Sequence, residues 1–145
     1  MTLRLYYDNA YLTEFDARVT ACVPAGSEFD IRLDRSAFYP TSGGQPFDTG
    51  FIDSARVLDV QVVDGDVMHL TDQALEIGAE VHCTIDWARR FDHMQQHAAD
   101  HMIAGTIWRM FGGVTIGLHE SDEVSTIDVS MPDGRTHLTP DEIAR

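Results

Sequence analysis

The sequence has few basic side chains, few cysteines and no long apolar run, and each shortage removes a class of function. Ten basic against twenty-four acidic residues leave a formal net charge of −14, the wrong sign for a protein that grips a phosphate backbone through a broad basic surface. A nucleic-acid partner would have to be met by a local basic patch, or by a segment outside these residues, with the acidic face turned away. No stretch approaches the roughly 18 uninterrupted apolar residues of a membrane span, so no membrane insertion is expected. The opening residues Met1 to Asp8 turn polar before the apolar region of a signal peptide could form, which points to the cytoplasm. The only cysteines, Cys22 and Cys83, each lie in an alternating apolar run where a small buried thiol packs well. A reduced, structural role is expected for both in preference to a disulfide or a metal site. Internal repeats and low-complexity tracts are also missing.

What is present is the composition of a soluble globular protein, 43% hydrophobic and 23% charged over 145 residues, enough for one ordinary domain or two small ones sharing a core. Residues 1–85 read as short strands at Leu3 to Tyr7, Arg18 to Val23, Phe29 to Leu33, Gly50 to Val57, Val60 to Val63, Asp66 to His69 and Glu80 to Ile85. Each alternates with period two or is rich in β-branched residues, and turn signals such as Pro24-Ala25-Gly26 and Asp64-Gly65-Asp66 separate several of them. Many short strands at this spacing predict a small barrel or strongly curled sheet. Between them, residues 38–50 form a loop dense in chain breakers whose residue choice is too ordered for a simple linker.

Near Asp86 the period changes. From there to about Met110 the pattern is helical, without proline, and Gly112-Gly113 supplies the left-handed cap. A hairpin of Val114 to His119 and Val124 to Met131 follows. Leu138-Thr139-Pro140-Asp141-Glu142 then has the form of a helix start, with threonine at the cap, proline at the first helical position and acids in the first turn.

Two features could carry chemistry. The helix holds His93, His97 and His101, four residues apart, a spacing that places all three on one helical face. A histidine pair at this spacing can direct two imidazole nitrogens at one metal ion; a polar, solvated face is the plain alternative. Zinc needs four ligands, or three and a water, and beyond His97 and His101 the candidates are His93, Cys83, His119 and Glu120, none of which forms a second compact ligand pair. The second feature is Gly43-Gly44-Gln45-Pro46, whose glycines permit close backbone approach to a carbonyl or phosphate. Gln45 adds an amide that donates and accepts, and Thr41 and Ser42 add hydroxyls. A tight structural turn anchored by Phe38, Tyr39 and Phe47 is the alternative, and no sequence feature assigns Ser42 a general base.

Phe38-Tyr39-Pro40-Thr41-Ser42-Gly43-Gly44-Gln45-Pro46 with Asp48-Thr49-Gly50, followed by Asp86-Trp87, Arg89-Arg90 and His93-Met94-Gln95-Gln96-His97-Ala98-Ala99-Asp100-His101, resembles the alanyl-tRNA editing proteins, the AlaX group related to the editing domain of alanyl-tRNA synthetase. The resemblance implies an α+β protein: a small N-terminal β-barrel-like domain over 1–85, then an α/β two-layer editing domain beginning at 86 and running to 145. It also implies a zinc-dependent hydrolase that acts on mischarged tRNA(Ala), cleaving a seryl or glycyl ester. The family's HxxxH motif falls on His97 and His101 as metal ligands, while His93 matches an upstream histidine that is not counted as one. Gly43 and Gly44 fall near the bound aminoacyl group, with Gln45, Thr41 and Ser42 as the catalytic candidates. Ser42 stands where a third glycine is common, a departure that bears on substrate preference. The family's remaining ligands come from a Cys-x-x-x-His motif that has no equivalent here, so the chain is expected to lack a C-terminal part. Two other functions remain open: a metal-free binding module of the same fold, and an unrelated metal-dependent hydrolase of a small ester or amide.

Overall fold

The structure, a computed structural model, describes residues 1–121, 124–135 and 137–144. They make an α+β protein, mostly strands with one long helix: β1 (Leu3–Arg4), β2 (Glu14–Ala25), β3 (Glu28–Leu33), β4 (Arg35–Ser36), β5 (Gly50–Ile52), β6 (Ala55–Val63), β7 (Asp66–Thr71), β8 (Glu80–Ile85), α1 (Trp87–Phe111), β9 (Val114–His119), β10 (Thr126–Ser130) and α2 (Pro140–Ile143). These residues group into two compact units. The first comprises 1–42 and 46–92, and the second comprises 43–45 and 93–145.

In the first unit six strands pair in the order β2-β3-β7-β6-β5-β8, and β8 returns to β2 to close the barrel. The long strand β2 makes the closure possible. Its first half, Glu14 to Arg18, runs against β8, and its second half, Val19 to Ala25, runs against β3. The register shifts between Val19 and Ala21 and again between Val57 and Asp59 on β6, and such irregularities bend a strand and increase its twist. Strict alternation points Phe15, Ala17 and Val19 inward from β2, where they meet Ile31, Leu33, Ile52, Val57, Val60, Val67, Val81 and Ile85. Phe38 lies at the centre of this core, fully buried and edge-on to both Phe15 and His69.

One polar group is enclosed with them. The His69 ring bridges Ser36 Oγ at 2.8 Å from Nε2 and the Ile31 carbonyl at 3.1 Å from Nδ1, and Ser36 Oγ also accepts the Phe38 N–H. Both ring nitrogens are satisfied, as a buried imidazole requires. Burial nonetheless depresses the His69 pKa from 6.5 to about 4.

The helix α1 opens at Asp86, whose carboxylate accepts the Arg89 N–H, an N-cap worth about 1 kcal/mol. It closes at Gly112, which has φ +68. In the second unit β9 and β10 form an antiparallel hairpin. Gly113 sits where a Cβ would meet Ile107, Val129 and Met131 side chains at 2.8 Å each, so any larger residue there would push the helix end from the hairpin. Thr139 and Glu142 form a reciprocal capping box at the start of α2, with Pro140 in the first helical position.

Two strand expectations need correction. Leu3 to Tyr7 is strand only at Leu3–Arg4, and Leu5–Tyr7 is a 3₁₀ turn in which Tyr6 is buried edge-on to Tyr39. Gly50 to Val57 divides into β5 and β6 at Asp53, which adopts φ 49. The residues 122, 123, 136 and 145 fall outside the described ones. The second hairpin strand, expected over Val124 to Met131, spans Thr126–Ser130.

Candidate functional site

The second unit assembles a compact polar group from the histidine helix, the end of β9 and the glycine turn. His97 and His101 lie one turn apart on α1 with ring centroids 4.6 Å apart and planes at 76°, and their Nε2 atoms approach to 3.0 Å. Glu120 follows β9. Its carboxylate lies 2.6 Å from His97 Nδ1 and its side chain is fully buried, against 30% exposure for His97. With Glu120 ionised, the short bond requires His97 Nδ1 to carry the proton, because a carboxylate only accepts. His97 Nε2 is then a lone-pair donor directed at His101.

The main chain of Glu120 makes a second link. Its N–H donates to the Gly44 carbonyl at 3.1 Å. Gly43 and Gly44 have φ +62 and +90, and positive φ at both central positions is the signature of a mirror-image two-residue turn that glycine adopts without strain. At Gly44 the requirement is doubled, because a Cβ would stand 2.5 Å from the Leu118 carbonyl oxygen. Gln45, next in the chain, is buried. Thr41 and Ser42 belong to the first unit and are exposed. The Thr41 N–H donates to the Val60 carbonyl, and Ser42 has no side-chain hydrogen bond among the described residues.

The remaining candidate ligands are placed differently. His93 is 1% exposed, unlike the other two helix histidines. Cys83 is fully buried in the barrel core, and burial pushes its thiol up to about 12, which disfavours the thiolate that binds metals. His119 is exposed, 3.6 Å from Asp128. Glu120 was a candidate only as a direct ligand; its link to His97 depends on the route of the chain after β9, which carries no local sequence signal. Among the described residues no three His, Cys, Asp or Glu side chains converge as a metal cluster.

The first unit holds the stems of the glycine turn. Tyr39 and Asp48 are joined by the Asp48 N–H to Tyr39 carbonyl bond at 3.0 Å and by the Tyr39 N–H to the Asp48 carboxylate. Arg90 then fastens the stem: it donates to the Ala10 carbonyl at 2.9 Å, to the Ala37 carbonyl at 2.6 Å, and from Nε to both Asp48 oxygens at 2.8 Å.

Comparison with known proteins gives the class to which the chain belongs. The profile of the tRNA synthetases class II (A) matches residues 5–89, and the chain belongs to that family. It is 38% identical over 133 residues to the alanyl-tRNA editing protein Aarsd1 of Danio rerio, covering 83% of this chain and 32% of that one. It is 35% identical over 139 residues to the alanyl-tRNA editing protein AlaX-M of Saccharolobus solfataricus, covering 90% and 57%. Similarity to the alanine–tRNA ligase of Pyrococcus furiosus is 37% over 117 residues, covering 77% and 12%. The resemblance to alanyl-tRNA editing proteins read from the two motifs is therefore borne out. The chain spans between an eighth and somewhat over half the length of these relatives. No helix among the described residues is long and apolar enough to cross a membrane.

Proposed function

We propose that this chain supplies the editing activity of an alanyl-tRNA editing protein: hydrolysis of the ester joining serine or glycine to tRNA(Ala). The observation that carries the reading is the His101–His97–Glu120–Gly44 chain of contacts, which ties the two motifs of the family into one unit. Water adds to the acyl carbon, the bond to the ribose oxygen breaks, and the products are the free amino acid and tRNA with its terminal hydroxyl restored.

Zinc is the metal the family reading implies, and the residues present fit one edge of its site. Two nitrogens bound to one tetrahedral zinc stand about 3.3 Å apart, close to the 3.0 Å between the His97 and His101 Nε2 atoms. The fully buried Glu120 carboxylate favours a cation nearby, since its second oxygen has no hydrogen-bond partner among the described residues. His97 and His101 would hold the metal. Bound zinc supplies Lewis-acid polarisation of a carbonyl or a water. The chain's own residues do the rest. At Gly43, where nothing lies within 4 Å of an added Cβ, the turn leaves room for the ester carbonyl to come close to the backbone. The Gln45 amide and the Thr41 and Ser42 hydroxyls are the groups available to hydrogen-bond a seryl side chain. For the seryl ester, bonds to the hydroxyl would favour it over the alanyl ester, which lacks that group.

The test is a deacylation assay with seryl-, glycyl- and alanyl-tRNA(Ala). Release of serine or glycine with alanyl-tRNA(Ala) spared supports the reading. Zinc-loaded protein that releases none of the three overturns it.

A further inference from the structure

We infer that Glu120 is the positioning residue of the histidine pair: its carboxylate fixes the His97 tautomer and ring orientation, and its backbone fastens the same group to the glycine turn at Gly44. The inference rests on the reading of His97 and His101 as a metal-binding pair and goes beyond it in giving a non-ligand residue the task of preparing the site.

Three observations carry it. Glu120 Oε1 lies 2.6 Å from His97 Nδ1, a contact that an acceptor-only carboxylate makes with the Nδ1–H tautomer, whose lone pair is on Nε2, the nitrogen facing His101. A neutral histidine left free exchanges between two tautomers, and only one of them presents Nε2 as a ligand. The carboxylate is fully buried, which strengthens its hold on the imidazole and prevents water from competing for Nδ1. Last, the Glu120 N–H donates to the Gly44 carbonyl at 3.1 Å, and Gly44 packs so closely on Leu118 that a Cβ would stand 2.5 Å from its carbonyl oxygen. One residue thus sets the position of both the ligand and the turn. Partners of this kind, behind a ligating histidine, alter metal affinity by about 10–100-fold when removed.

The experiment uses the whole 145-residue chain as wild type, Glu120→Gln and Glu120→Ala. The tautomer of His97 is read by ¹⁵N NMR of the metal-free protein, and zinc affinity by competition with a chromophoric chelator. Circular dichroism checks the fold, and the near-isosteric glutamine variant keeps the test meaningful if the alanine variant unfolds. Wild type is expected to show the Nδ1-protonated form of His97 alone. Glu120→Ala should give a tautomer mixture and zinc binding weakened by about 10–100-fold. Glu120→Gln, whose amide oxygen can still accept the Nδ1 proton, should fall between. An unchanged tautomer and unchanged zinc affinity in both variants would overturn the inference. If wild type binds no zinc, the metal reading fails while the tautomer measurement still decides the role of Glu120. Zinc binding without deacylation would remove the proposed function and leave this inference standing.

Discussion

Arg90 and Asp48, forty-two positions apart, form an ion pair whose side chains are only 3% and 1% exposed. The arginine spends its remaining donors on the Ala10 and Ala37 carbonyls, so three separate segments converge on one guanidinium. A buried pair of this kind is not strong evidence of net stability, but breaking it leaves an uncompensated charge, at about 3–5 kcal/mol. Arg90→Ala and Asp48→Ala are each expected to lower the unfolding free energy obtained from urea titration by an amount in that range. Arg90→Lys should recover little, because an ammonium cannot reproduce the fork. The paired apolar replacement Arg90→Met with Asp48→Leu should be milder than either single loss, and urea titration of all four variants decides the matter.

His69 makes the barrel sensitive to acid. Its folded pKa, about 4 against 6.5 for the free side chain, is set by burial. Between those values the unfolded chain binds a proton that the folded one does not, so stability falls as pH falls through this window, by about 1.4 kcal/mol per pH unit. Below about pH 4 the folded protein also takes up the proton and the effect ends. Denaturant titrations at pH 7 and pH 5 should differ by about 2 kcal/mol more in wild type than in His69→Gln. Equal pH dependence of the two would refute the assignment.

Gly43 and Gly44 separate two kinds of glycine requirement. At Gly43 only the positive φ of +62 opposes a side chain, because no atom lies within 4 Å of an added Cβ. Gly43→Ala should therefore cost about 1 kcal/mol. At Gly44 the same strain is joined by a collision with the Leu118 backbone, which cannot yield as a flexible side chain would. Gly44→Ala should cost clearly more, and it should disturb the His97 resonances through Glu120. Thermal unfolding and a ¹H–¹⁵N spectrum of both variants make the comparison.

Much of this arrangement was legible in the sequence, and the exceptions have physical causes. The alternation of β2, β3 and β8, the helix from Asp86, its glycine stop and the Thr139-Pro140 start all follow from local rules, because each is decided within a few residues. Leu5 to Tyr7 leaves the expected strand because burial of Tyr6 against Tyr39 overrides the strand preference of an aromatic pair. The turn at Asp53 has no local signal, because Asp-Ser lacks the Asn-Gly or Asp-Gly pair of a tight hairpin. The Arg90–Asp48 and His97–Glu120 pairs are tertiary contacts across 42 and 23 positions, and no pattern in one sequence announces them. The histidine spacing and the glycine turn were visible as motifs; that one carboxylate joins them was not.

The metal reading makes the two helix histidines unequal in a definite way. His97 is half-buried and held by Glu120, whereas His101 is exposed and its ring meets the His97 ring. His97→Ala removes a ligand and also leaves the buried Glu120 carboxylate without its hydrogen-bond partner among the described residues, so it should lower stability by several kcal/mol as well as abolish zinc binding. His101→Ala removes a ligand from the surface and should abolish zinc binding with a loss of stability under about 0.5 kcal/mol. Adding Glu120→Gln to His97→Ala should restore part of the lost stability without restoring metal, since a neutral amide is less costly to bury than an unpaired charge. Zinc content by elemental analysis, with urea midpoints for the three variants, checks each part. Full zinc occupancy in both single variants would remove His97 and His101 as ligands, and equal destabilisation by the two would show that Glu120 exerts no special hold on His97.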